Sequence, residues 1–84
     1  MGNSRPKPKF LAAKLLAIRQ NLGLSQTELA RRLNLIELNV MYHRISEYEH
    51  GRREPNLMVL LAYARAANIP LENIVDDDIE ITFT

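Results

Sequence analysis

The 84-residue chain contains no cysteine. Disulfides, thiolate-bound metals and a thiol nucleophile are therefore excluded. No apolar run approaches the roughly 20 residues of a bilayer-spanning helix. The basic start, "MGNSRPKPKF", lacks the apolar stretch and small-residue cleavage site of a secretory signal, so a cytoplasmic location is expected. Its three glycines stand apart, at Gly2, Gly23 and Gly51. No glycine-rich phosphate loop is present, and no nucleophile–base pair stands out. A single small core leaves little room for a pocket, so catalysis and cofactors are not expected. No internal repeat or low-complexity segment appears.

What is present fits a globular domain: 46% of residues are hydrophobic and 25% charged. The net charge of +1 conceals a segregation. Residues 1–53 carry ten Lys/Arg against four Asp/Glu, a balance of +6, and residues 54–84 carry one against six, a balance of −5. Such a split suggests one half that faces a polyanion and one that turns elsewhere.

Residues 1–8, with two prolines and a glycine, read as a flexible basic arm. Leu11, Leu15, Ile18 and Leu22 recur at helical spacing and predict a first helix from about Lys9 to Leu22, stopped by Gly23. "SQTE" at 25–28 is a capping box that starts a second, short helix at Gln26 and buries Leu29, Ala30 and Leu33. A third helix holds Ile45, Tyr48 and Glu49 and ends at Gly51. Pro55-Asn56 opens a fourth, with Leu57, Leu60, Leu61 and Ala64 on one face and Asn68 as its left-handed cap. Pro70 opens a fifth, carrying Leu71, Ile74 and Val75. The tail "IEITFT" alternates with period two, which predicts a strand after the acidic linker Asp76–Asp78.

Three blocks in order, "IRQNLGLSQTELARRL", "ISEYEHGRREP" and "NLMVLLAYARAANIPLENIV", resemble the Cro/phage-repressor (XRE-type) helix-turn-helix family over about residues 10–75. The resemblance implies an all-α, five-helix phage-repressor-like domain over residues 9–75; residues 76–84, outside it, are read from their own pattern as an acidic linker and candidate short C-terminal β-strand. It implies a regulator, a repressor, that binds double-stranded DNA and reads the major groove with a helix around residues 40–50. Tyr42, His43, Ser46 and Glu47 match positions that face the groove, and Arg44, a further candidate base contact, can reach either a base or a phosphate. His50, Arg52 and Arg53 lie where the family meets phosphates, and Gln26, at the N-terminus of the second helix, can add a side-chain donor to a phosphate there. Arg19 and Glu49 match residues that pair with each other, locking the first helix to the third.

One joint departs from the family. Leu33 and Ile45 lie twelve positions apart, where the family spaces seven, so about five residues are added. The segment "NLIELNVMYHR" is apolar. Either the third helix begins near Val40 with Asn39 as its N-cap, or residues 35–38 form a separate helical turn, or the apolar residues meet a partner. The first two combined are favoured, with Leu35 and Leu38 or Val40 buried and Ile36 and Met41 more exposed. Asn39 is then a further candidate base reader, since asparagine pairs bidentately with adenine.

His43, Glu47 and His50 share a helix face, but seven residues of rise separate the histidines by about 10 Å, so no metal site is expected. A rival function is a protein-interaction module, antitoxin-like or adaptor, on the same fold. A homodimer on a palindromic site is expected, with residues 79–84 as its candidate contact.

Overall fold

A computed structural model describes residues 8–83 of the chain. Five helices follow in order: α1 (Leu11–Leu22), α2 (Gln26–Arg32), α3 (Arg44–Glu49), α4 (Leu57–Ala67) and α5 (Leu71–Val75). A single 3-10 turn, Leu35–Leu38, lies between α2 and α3. Of the expected arm, only Pro8 is among the described residues, and Thr84 also lies outside them.

The core is where the α1 and α2 spacings put it. Leu15, Ile18, Leu29, Ala30, Ile45, Val59, Tyr63 and Ile74 are fully buried, with Leu35 from the 3-10 turn. Each such aliphatic side chain contributes about 1.5–3 kcal/mol by leaving water. α1 packs against α3, α4 and α5 and is the central strut of the domain.

Helix ends are set by local chemistry. The Ser25 hydroxyl accepts from Glu28 N at 3.1 Å, and the Glu28 carboxylate accepts from Ser25 N at 2.8 Å, completing the expected capping box. Asn56 Oδ1 accepts from Val59 N at 2.9 Å and starts α4. Gly51 ends α3 in the left-handed region, φ 71°. Gly51 N donates to Tyr48 O and Arg52 N to Glu47 O, the paired bonds of a Schellman turn.

α1 begins at Leu11 rather than Lys9, because its cap comes from a distant segment. Phe10, at the N-cap, offers no side-chain bond. Asp77 supplies it instead, accepting from Lys9 N at 2.8 Å and Phe10 N at 3.2 Å. Lys14 makes the second tie. It is buried, and its ammonium donates to the carbonyls of Asn73, Asp76 and Ile79 at 2.8, 2.7 and 2.7 Å. These carbonyls include orphan groups at the end of α5, which a cation suits.

Two expectations are corrected. In α4 the core face is Val59, Leu60, Tyr63 and Ala64, not Leu57, Leu60, Leu61 and Ala64; Leu57 is 66% exposed. Both stripes have helical spacing, and the one carrying Tyr63 brings the larger side chain inward. No strand forms among the described residues of the tail. Ile79 N bonds Asp76 O in a turn, Ile79 O is held by Lys14, and Ile81 and Phe83 pack partly on the core of their own chain.

Candidate nucleic-acid interface

The joint between α2 and α3 resolves two of the readings open at the sequence level. Residues 35–38 form the separate 3-10 turn, and α3 starts at Arg44, not near Val40. The reason is Asn39. It is left-handed, φ 57°, and closes the 3-10 turn rather than capping a helix. Asparagine tolerates this region where most residues do not. Asn39 N bonds Ile36 O, and Val40 N bonds Leu35 O at 2.9 Å. With three residues per turn, Leu35 and Leu38 fall on one side and Ile36 on the other. Leu35 is accordingly buried and Leu38 half-buried, whereas Ile36 is 68% exposed. The chain then turns back at Met41–His43. Arg44 N, Ile45 N and Ser46 N each bond the carbonyl three residues earlier, a tight lead-in to α3.

Ile45 and Tyr48 bury the inner face of α3. Tyr42 and His43, before the helix, are exposed; Arg44, Ser46 and Glu47, on it, are half-exposed. Asn39 is exposed on the preceding turn. His50, Arg52 and Arg53 follow in the exposed turn. The base-facing candidates are thus spread over the 3-10 turn, the lead-in and the helix, not along one long helix.

These side chains hold one another. The Glu47 carboxylate accepts from Arg44 Nη1 at 2.6 Å and lies 3.4 Å from Arg53 Nε. The Arg44 guanidinium holds the Glu47 carboxyl below its usual pKa, and the nearby Arg53 charge adds to the effect. His50 Nδ1 is 2.7 Å from Ser46 O, so this nitrogen carries the proton that the carbonyl accepts. That bond fixes the ring and leaves Nε2 outside it.

Behind this surface lies the expected ion pair. Arg19 donates to Glu49 through Nε at 2.6 Å and Nη2 at 3.0 Å, a two-pronged geometry suited to guanidinium and carboxylate. Gln26 Nε2 also donates to Glu49 Oε1, at 3.0 Å. The Glu49 side chain is only 4% exposed. One carboxylate therefore ties α1, the first residue of α2 and the last of α3 together. Gln26 retains its second amide hydrogen outside this network. Its bond to Glu49 was not legible from composition or spacing, and neither were the contacts of Lys14 and Asp77.

A short helix whose outer face is half-exposed, joined through a turn to a second helix and locked to it from behind, defines a helix-turn-helix domain. The helix-turn-helix family model matches residues 15–74. The chain belongs to that family, one of DNA-binding regulators. Among solved structures it is similar to the P22 c2 repressor protein, crystallised in complex with synthetic operator 9T in the presence of Tl+. The TM-score is 0.67 at 25% sequence identity, covering 81% of this chain and 96% of that one. No curated protein sequence matches the chain.

Proposed function

We propose that this protein is a transcriptional repressor that binds double-stranded DNA sequence-specifically, with α3 and its lead-in in the major groove. The observation that carries this reading is the outer surface of α3 continuing into the Arg52–Arg53 turn, fixed against α2 by Glu49. Tyr42, His43, Arg44, Ser46, Glu47 and, from the added turn, Asn39 are the proposed base contacts. Gln26, His50, Arg52 and Arg53 are the proposed phosphate contacts, which set register rather than sequence. Glu47 suits a cytosine N4–H or rejects wrong sites, and Arg44 suits a guanine or a phosphate. Arg44 and Glu47 are paired in the free protein, so base reading exchanges that pair for contacts to DNA.

The reading includes a homodimer on a palindromic site, since one such domain spans only a few base pairs. Residues 79–84 remain the proposed contact. Ile81 and Phe83 are half-buried in a single chain, and a second copy would complete their burial. Deleting residues 79–84 and weighing the protein tests it; an unchanged dimer mass excludes the tail. Selection of bound sequences from a random DNA pool at a stated salt concentration tests the main reading. Recovery of one symmetric motif supports it. No DNA shift at low salt, together with capture of a tight protein partner, would favour an adaptor or antitoxin-like module instead.

A further inference from the structure

The residues added at the helix-turn-helix joint leave an apolar surface that the core does not use. Ile36 is 68% exposed, Met41 62% and Tyr42 40%. With Asn39, Val40 and His43 they line an open depression of roughly 620 Å³. Met41, with Asn39 and Val40, also borders the neighbouring depression, whose other walls are Arg44, Tyr48, Arg53, Glu54 and Asn56. The apolar patch is therefore continuous with the α3 surface at Arg44.

Its surroundings say what fits it. Asn39, Tyr42 and His43, three of the proposed base contacts, line it, and Met41 joins it to the depression beside α3. Arg44 and Arg53 are held by Glu47, and Glu54 lines the same depression, so the occupant follows from position rather than charge. The patch lies among the proposed base contacts, where a nucleic-acid duplex would sit. In the major groove, the apolar feature a duplex offers is the C5-methyl group of a pyrimidine. We infer that the added turn reads that methyl group: Met41, supported by Ile36, packs on the C5-methyl of a thymine beside the bases reached from α3. This rests on the DNA reading above and adds a base position that a helix-turn-helix without the added turn does not reach. Met41 is the better probe of the two because it borders both depressions. Methionine also adapts its shape to an irregular apolar partner at little cost.

The experiment uses the full chain and the sequence recovered from the random pool. Each thymine is replaced singly by deoxyuridine, which keeps pairing and removes only the methyl. At any sensitive position, cytosine and 5-methylcytosine are then compared. Loss of one buried methyl is expected to weaken binding about fourfold at one thymine per half-site, and 5-methylcytosine to bind more tightly than cytosine by a similar factor. In Met41→Gln, close in length but polar, both ratios fall to one. Ile36→Ala reduces them. Both positions are exposed, so both variants keep the parental melting temperature. Binding indifferent to every methyl, or methyl dependence that survives in Met41→Gln, overturns the inference and leaves the DNA reading standing. No binding to any DNA at low salt overturns both.

Discussion

Glu49→Ala removes the group on which three helices converge. The carboxylate accepts three hydrogen bonds, two from Arg19 and one from Gln26, and is 4% exposed. Breaking a buried ion pair by deleting one partner costs about 3–5 kcal/mol, because the other charge is left without its counter-ion. Arg19 keeps a bond to Leu24 O at 3.1 Å and its side chain is 20% exposed, so water recovers part of the loss. That places the cost at the low end, about 3 kcal/mol. A domain of this length holds about 4–13 kcal/mol in all. At about 4–8 °C per kcal/mol, the melting temperature should fall by about 12–24 °C. Thermal unfolding followed by circular dichroism reads this directly. The double variant Arg19→Met, Glu49→Leu should recover more than half of the loss, since it leaves no charge unpaired. A Glu49→Ala melting temperature within about 5 °C of the parent would refute the reasoning.

Other expectations follow from the same contacts. Lys14→Met keeps the apolar stem and removes the ammonium from three carbonyls, so it should cost about 2 kcal/mol; an unchanged urea midpoint would contradict this. Backbone N–H donors lower the Asp77 and Glu28 carboxyls, from Lys9 and Ser25 respectively, and Arg44 lowers Glu47. Depressed folded pKa values give stability that is complete above the ordinary carboxylate range near about pH 4 and lost as pH falls through the folded values. Asp77→Asn should flatten that acid loss, and parallel pH curves for variant and parent would show the cap is not involved. Tyr63 is fully buried, and its hydroxyl is the buried side-chain group without a hydrogen-bond partner among the described residues. Burial pushes that hydroxyl's pKa well up. Tyr63→Phe should therefore leave stability unchanged or raise it by about 1 kcal/mol, and a loss above about 1.5 kcal/mol would assign the hydroxyl a partner.

The parts of the fold that were legible in the sequence are those whose causes are local. The capping box at Ser25 and Glu28, the Asn56 cap and the left-handed Gly23, Gly51 and Asn68 fix helix ends within a few residues of themselves. The start of α3 was not legible, because asparagine serves equally as an N-cap and as a left-handed residue, and Asn39 takes the second role, closing the turn that buries Leu35. Asp77 caps a helix 67 and 68 positions away, and no local pattern records that. Lys14 carried a faint signal, since it sits within the stripe of Leu11, Leu15 and Ile18, but its acceptors are backbone carbonyls that any sequence supplies. The tail alternates as a strand does, yet the alternation serves to lay Ile81 and Phe83 on the chain's own core. At the candidate interface, the Arg19–Glu49 pair was reached through family resemblance, whereas the third partner, Gln26, emerged only from the geometry.

The central claim is that the Arg52–Arg53 turn and α3 face a DNA duplex, and the salt dependence of binding tests it most directly. The association constant of the selected site is measured across a range of salt concentrations for the parent and for Arg52→Gln, Arg53→Gln. Each phosphate contact contributes about 0.9 to the slope of log K against log salt. The double variant should bind more weakly to all sequences alike and lose about 2 from that slope. An unchanged slope, or binding that does not weaken with salt in the parent, would contradict the account.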